Sequence, residues 1–312
     1  MKRYRVIVNP VAGHGNGLRS ITAIKRLLTS HNLSYDLIQT EYPGHAIELT
    51  QQAALDRVDV IVAAGGDGTV NEVINGLMLL RQSGNPVPVL GVLCVGRGND
   101  FADAVRIPPD LAMGCQALAD DQRRVIDIGR VMGGIYPQGH YFGNVVGVGF
   151  DTITTIEVKK LPRWGGFVSF FVAVLKTVFL YNKAPLANIE FNGQTITQRS
   201  LLISIMNGNR LGGGFYMAPN SKPDDGLFDL CIGEQMSSFQ VLRMIPHFMK
   251  GTQSTQPTIK TGQTTHITIT GLDGPLPAQM DGEIISTEGK YLVVEIIPHQ
   301  LEIIYQPTQV KA

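Results

Sequence analysis

The chain has 312 residues, 44% of them apolar and 17% charged, and its 26 basic side chains are balanced by 26 acidic ones. That length suits two domains with separate cores, and the zero net charge argues against a general electrostatic grip on nucleic acid. Cys94, Cys115 and Cys231 lie far apart and outside any CxxC spacing, so neither a disulfide framework nor a zinc site is indicated and a reducing cytoplasm is the simplest compartment.

The opening MKRYRVIVNP has an apolar run that stops at Pro10, too short for a signal-peptide core. It reads as a first strand, Arg3 to Val8. The turn after it, Asn9-Pro10-Val11-Ala12-Gly13-His14-Gly15-Asn16-Gly17, lacks the Gly-Lys-Ser/Thr of a Walker A loop, so a plain turn and a phosphate-binding role both stay open. Leu18 to His31 reads as a helix, Tyr35 to Thr40 as a strand and His45 to Arg57 as a helix. Val58 to Ala64, VDVIVAA, is an almost unbroken apolar run of strand length, as expected of a strand covered on both faces.

Gly65-Gly66-Asp67-Gly68-Thr69 follows at a strand-to-helix junction, and Val70, Val73, Ile74 and Leu77 supply the apolar face of the next helix. Thr69 and Glu72 have the spacing of a capping box. Glycines let a ligand approach the backbone, and a helix N-terminus offers N–H groups to an anion. A phosphate-bearing substrate is the expected guest, with Asp67 acting through a divalent metal or a ribose, and a glycine-rich turn with a capping carboxylate is the alternative. Leu90 to Val95 and Arg124 to Val131 add strands, and Gly96-Arg97-Gly98-Asn99-Asp100-Phe101-Ala102 forms a third turn of the same kind. Asp100 there would orient a hydroxyl or a metal-bound water, or else cap a helix. The alternation predicts a parallel sheet with helices on both faces, and ligands bound beyond the carboxyl ends of its strands.

After Gly133-Gly134 come short strand-like runs, Tyr141 to Val148, Ala187 to Phe191, Leu201 to Met206, Phe228 to Ile232, His266 to Thr270 and Tyr291 to Ile297. They predict an antiparallel sandwich or barrel with helical insertions near 151–182 and 237–250. The stretch Trp164 to Tyr181 is strongly apolar but contains Lys176 and two glycines, so it is expected to be a buried or ligand-lining helix and not a membrane span. Its Phe167, Phe170, Phe171, Val174 and Phe179 would suit an acyl chain. The acidic loop Lys222-Pro223-Asp224-Asp225-Gly226-Leu227 has the make-up of a cation site or of a plain turn. Asp281-Gly282-Glu283 is either a hairpin turn or a pair of carboxylates for base or metal chemistry. The seven histidines show no metal-ligand spacing.

In this order, NPVAGHGNG, GGDGTVNEV, GRGNDFA, LGGGFYMAPNSKPDDGLFDL and MDGE resemble the bacterial members of the diacylglycerol kinase catalytic family, which also contains sphingosine and ceramide kinases. The resemblance runs from residue 3 to about 306. GGDGT alone is shared with NAD kinases and phosphofructokinases, and GGGF with PDDG and DGE favours the lipid kinases. What it implies is an α/β nucleotide-binding domain over 1–132 with a parallel sheet, an antiparallel β-sandwich over 133–306, a tail over 307–312 and a cleft between the domains. It implies phosphoryl transfer from ATP, with Mg²⁺, to a lipid hydroxyl, most simply that of diacylglycerol or a related glycerolipid. A sphingoid-base or ceramide kinase, an NAD kinase-type enzyme and a non-catalytic sensor are the alternatives.

Nucleotide contacts then carry over onto Asn9, Pro10, Ala12 and Gly13, onto Thr40, and onto Gly65, Gly66, Asp67, Gly68, Thr69, Asn71 and Glu72. Asp100 matches the carboxylate needed for activity. Asp281 and Glu283 match the catalytic DGE, with Asp281 favoured as the base and Glu283 as a metal or orienting partner. A structural metal falls to the Asp225 carboxylate and the main-chain oxygens of Lys222 and Leu227. Arg97 is a departure, since a GTxNDFA pattern has threonine there, though a guanidinium suits phosphate. The implied protein is cytoplasmic, reaches its lipid peripherally at the inner membrane surface, binds no nucleic acid and is compatible with a homodimer.

Overall fold

The structure, a computed structural model, describes residues 2–161, 166–181 and 183–307. The first part of the chain alternates as its apolar runs require: β1 (Arg3–Val8), α1 (Ala12–Ser30), β2 (Ser34–Gln39), α2 (His45–Leu55), β3 (Val60–Gly65), α3 (Asp67–Gln82), β4 (Val89–Cys94), α4 (Asp100–Ala104), α5 (Leu111–Asp120) and β5 (Arg123–Gly133). β1 to β4 form a parallel sheet in the order β2-β1-β3-β4, with Val6 opposite both Leu37 and Val62. All six residues of β3 are buried. The crossover β1-α1-β2 runs one way along the sheet and the next two run the other, so right-handed connections put α1 on one face and α2 and α3 on the opposite one. α5 packs on α1, and α2 on α3. α5 was not expected from the sequence; Asp110 caps it, accepting from Met113 N at 2.9 Å.

The second part holds β6 (Tyr136–Phe142), β7 (Val145–Gly149), α6 (Phe150–Lys160), α7 (Gly166–Leu180), β8 (Leu186–Phe191), β9 (Gln194–Met206), β10 (Phe228–Glu234), α8 (Ser238–Lys250), β11 (Ile259–Thr264), β12 (His266–Gly271), β13 (Ala278–Met280), β14 (Glu283–Ser286) and β15 (Tyr291–Ile304). β7 to β14 pair antiparallel. β9 serves two sheets, its first half pairing with β8 and its second with β7 and β10. Alternate residues of its second half go to different cores: Ile203 and Ile205 join Phe142, Ile267 and Val294, while Leu202 and Met206 join Val174, Val178 and Met244 under the helices. The expected run Tyr141 to Val148 is two strands. Gly143-Asn144 breaks it, β6 pairing with β5 and β7 with β9 and β13.

Two compact units result, Met1–Asp127 with His299–Ala312, and Ile128–Pro298. The first change-over lies inside β5, one continuous strand that carries the chain from the first unit into the second. Residues after Pro298 return to the first unit, where Ile303 pairs with Leu90 and His299 N donates to Asp127 Oδ1 at 2.7 Å. Among the described residues no helix is long and apolar enough to cross a membrane. Trp164 lies outside them.

Candidate active site

In the first unit the sheet order reverses direction between β1 and β3, and loops that leave such a switch point at the carboxyl edge are the usual place for a ligand. The turn after β1 is wound by three consecutive left-handed residues, Gly13, His14 and Gly15, with φ of 55°, 58° and 82°. Asn9 ties this turn to the next, its Nδ2 donating to Thr69 Oγ1 at 3.0 Å, while its Oδ1 accepts from Val11 N. Asn16 Nδ2 donates to Val95 O at 3.1 Å, which joins the first turn to the third. The second and third turns touch backbone to backbone: a Cβ on Gly96 would stand 2.3 Å from Gly66 Cα, so only glycine fits. Thr40, after β2, donates its N–H to Val8 O at the same edge.

Two carboxylates lie beside Gly98 in this cluster. Asp67 opens α3 and its Oδ1 accepts from Phe101 N at 3.1 Å. Asp100 opens α4 and is buried. A Cβ on Gly98 would lie 2.8 Å from Asp67 Oδ2 and 3.9 Å from Asp100 Oδ2, so the bare glycine leaves both acids facing one small space. Gly66 caps α3 without a side-chain bond, and its first-turn amides can receive an anion. Gly68 and Arg97 are exposed, and Gly65 is buried.

The expected capping box at Thr69 and Glu72 is not formed. Glu72 instead accepts from Gly44 N at 2.9 Å and Ala46 N at 3.1 Å, placing its charge on the N-terminus of α2. That long-range partner outcompetes the local one. Asn71 sits a turn into α3, buried, with its Oδ1 accepting from Asn75 Nδ2.

In the second unit Asp281 and Gly282 are the two-residue turn between β13 and β14, both left-handed at φ 46° and 87°, the geometry of a tight hairpin. The Asp281 carboxylate accepts three backbone N–H groups from the β6-β7 corner, Gly143 N at 2.9 Å, Asn144 N at 3.1 Å and Val145 N at 2.9 Å. Glu283 is exposed and pairs with Lys159 on α6 at 3.0 Å. Gln279, fully buried, accepts from Gly282 N at 2.8 Å and so holds the turn from behind.

The same unit contains an apolar cavity of about 40 Å³ between α6, α7, α8 and β9, walled by Phe150, Phe170, Val174, Phe215 and Phe248. Of the aromatic and aliphatic side chains expected on this helix, Phe170 and Val174 line the cavity. Phe179 does not, being 66% exposed. One carboxyl lines the cavity, Asp151, which the sequence does not mark out, since an acid in the first turn of a helix is ordinary. Ser204 Oγ donates to it, and the Thr154 hydroxyl beside the cavity is buried without a partner. Burial pushes the Asp151 carboxyl from 3.8 up to about 6, against the Ser204 bond that lowers it.

Between those two values the folded chain keeps a proton that the unfolded chain has released, so stability falls as pH rises through the window and levels off above it. Asp151→Asn is expected to remove that slope and to gain up to roughly 3 kcal/mol at neutral pH. Thermal unfolding of both proteins across the window checks this, and parallel curves would count against a buried titrating carboxyl.

The loop expected to hold a metal is a turn ahead of β10. Asp225 Oδ1 accepts from Leu227 N at 3.1 Å, and Lys222 is exposed. Asp229 adds a third acid after Asp224 and Asp225, with a buried, unpartnered Oδ2; burial raises its pKa, a Ser221 bond lowers it and the nearby Asp225 charge raises it. Among the described residues no three His, Cys, Asp or Glu side chains gather as a metal site.

Residues 3–131 match the diacylglycerol kinase catalytic domain, and residues 144–305 match the YegS C-terminal NAD kinase beta sandwich-like domain. A diacylglycerol kinase of Bacillus subtilis is 32% identical over 253 residues, 80% of each chain. A protein of Yersinia pseudotuberculosis named "Probable lipid kinase YegS-like" is 31% identical over 264 residues, 83% of each. The fold is similar to that of a diacylglycerol kinase from Bacillus anthracis, with a TM-score of 0.75 at 23% identity over 99% of this chain and 98% of that one. The converging glycine turns, the two acids beside Gly98 and the DGE hairpin therefore sit in a chain that belongs to the diacylglycerol kinase catalytic family, and this protein is a kinase.

Proposed function

We propose that the protein is an ATP- and Mg²⁺-dependent lipid kinase whose acceptor is the hydroxyl of diacylglycerol or a related glycerolipid. The observation that carries a lipid over NAD is the apolar cavity with its single buried carboxyl, because a dinucleotide needs a polar acceptor site. Its small volume means that side chains of α7 and α8 must shift to admit a long chain. Asp151 and Thr154 are suited to the polar end of such a chain.

The first unit would bind the phosphoryl donor, with the Asn9 to Gly13, Gly65 to Thr69 and Gly96 to Asp100 turns around its phosphates. The two acids facing Gly98 fit Mg²⁺, which takes one or two carboxylates together with phosphate oxygens, so Asp67 and Asp100 would hold it. When bound there, Mg²⁺ would supply charge neutralisation to the transferring phosphoryl group. The lipid oxygen forms a bond to the γ-phosphorus, the bridge to the β-phosphate breaks, ADP leaves, and the hydroxyl proton passes to the DGE hairpin. Asp225, Asp229 and the main-chain oxygens of Lys222 and Leu227 offer oxygen donors suited to a second, structural cation. The enzyme would act at the inner membrane surface from the cytoplasm.

Arg97, exposed on the third turn, is suited to a γ- or β-phosphate. Arg97→Ala is then expected to raise the KM for ATP about five- to tenfold with kcat little changed, and an unchanged KM would remove it from the site. The reading as a whole is tested by ATP consumption with diacylglycerol, monoacylglycerol, phosphatidylglycerol, ceramide, sphingoid bases and NAD offered in turn. Turnover of NAD with no lipid phosphorylated would overturn it.

A further inference from the structure

Apart from Lys176, the outer side of α7 is apolar as well. Ser169, Ala173, Val174, Thr177 and Val178 are buried, while Val168, Val172, Leu175 and Phe179 follow one another at helical spacing along the other side, half-buried or exposed. A helix on the surface of a soluble protein ordinarily turns polar groups outward there. At the C-terminal end of α7 the exposure is greatest, with Phe179 at 66% and Leu180 at 56%. α8 begins against this end: Ser238 Oγ donates to Val178 O at 2.9 Å, and the next residue, Phe239, is 68% exposed. Three large apolar side chains from two helices thus share one patch.

The charged side chains that α7 and α8 themselves carry have one sign. Neither α7 nor α8 contains an acidic residue. Lys176 of α7 is paired with Glu157, but Arg243 of α8 lies with its guanidinium 5.7 Å over the Phe239 ring, and exposed Lys250 follows on the same helix. Apolar side chains bordered by cations are the make-up of a segment that lies in a membrane interface, where the rings enter the acyl boundary and the cations meet lipid phosphate.

We infer that the joined ends of α7 and α8, through Phe179, Leu180, Phe239 and Arg243, dock this enzyme onto an anionic lipid bilayer. The choice of a bilayer over a second copy of the chain follows from charge, since a twofold contact through this patch would bring like-charged Arg243 side chains towards each other, whereas an anionic leaflet supplies their counter-charge. The inference deepens the lipid kinase reading by assigning the surface through which the substrate's membrane is met. It does not need that reading for its test.

The full chain is floated, without ATP or substrate, with vesicles of phosphatidylcholine alone and of phosphatidylcholine mixed with phosphatidylglycerol. Wild type is expected to float with the mixed vesicles. Phe179→Ser with Phe239→Ser should lower partition about tenfold or more, and Arg243→Glu should lower it about tenfold on the anionic vesicles and little on the neutral ones. All variants should keep the wild-type Tm, and turnover of a monomeric short-chain glycerolipid should stay within about twofold, because none of these side chains walls the cavity. Wild type that stays with the lipid-free fraction overturns the inference, as do variants that float like wild type. Variants that lose self-association but keep vesicle binding also overturn it, making the patch a subunit contact. Vesicle binding that follows the expected pattern while no lipid is phosphorylated upholds the docking surface and sinks the lipid kinase reading alone.

Discussion

Asp281→Asn is expected to cut turnover by about two to four orders of magnitude if this carboxylate takes the acceptor's proton, and to lower stability in the same variant. The second effect follows from geometry. Three main-chain N–H groups of residues 143–145 converge on the carboxylate, and an asparagine would turn an NH₂ towards at least one of them. Leaving part of that corner unsatisfied costs about 1–3 kcal/mol, or several degrees of Tm. Glu283→Gln separates the two roles, because Glu283 is exposed and its Lys159 pair contributes little to folding. Should Asp281→Asn lose stability but keep kcat while Glu283→Gln is inactive, Asp281 is a scaffold for the hairpin and Glu283 is the base. Full activity in both variants would remove the hairpin from the chemistry altogether.

Asp100→Asn is expected to lower kcat on the order of 10²- to 10³-fold, the range found when one group that stabilises developing charge is removed. Asp67→Ala should act chiefly on the KM for Mg-ATP. Asp67 also accepts the Phe101 N–H, so Asp67→Asn is the control: it keeps an acceptor for that amide and deletes only the charge. If Asp67→Asn restores wild-type kinetics where Asp67→Ala does not, Asp67 holds the third turn in place and has no metal to bind. Titrating Mg²⁺ at fixed ATP gives a second readout, since loss of a metal-binding carboxylate shifts the Mg²⁺ dependence and loss of a turn does not.

The parallel sheet was legible because its strands are short, almost wholly apolar and punctuated by glycine turns, as in VIVAAG of β3. The convergence of the three turns followed from the same alternation, since successive parallel strands place their exits on one edge. Partners chosen over long sequence distance were not legible. Glu72 lies three residues after Thr69, which signals a capping box, yet it is drawn to the amides at Gly44 and Ala46, which only the packing of α2 on α3 brings near. The Asp281 carboxylate was visible as part of DGE, but not its hold on residues 143–145, because the break at Gly143-Asn144 hides inside an apolar run. Asp151 gave no signal at all: its meaning comes from the cavity that it lines together with Phe170 of α7 and Phe248 of α8, which only the packing of the helices brings about.

The route of the chain has a consequence for how the protein is made. Ile128–Pro298 is continuous, but the first unit is split, and its last residues follow the whole of that insert. While a ribosome is still adding the insert, the parallel sheet lacks the segment that pairs Ile303 with Leu90, donates Tyr305 N to Gln122 O and joins Glu302 to Arg123. The insert can reach its final form during synthesis, whereas β4 and the start of β5 keep open hydrogen-bonding edges until the C-terminal strand arrives. Exposed strand edges template wrong pairing, so the nascent first unit is the part of this protein most in need of protection.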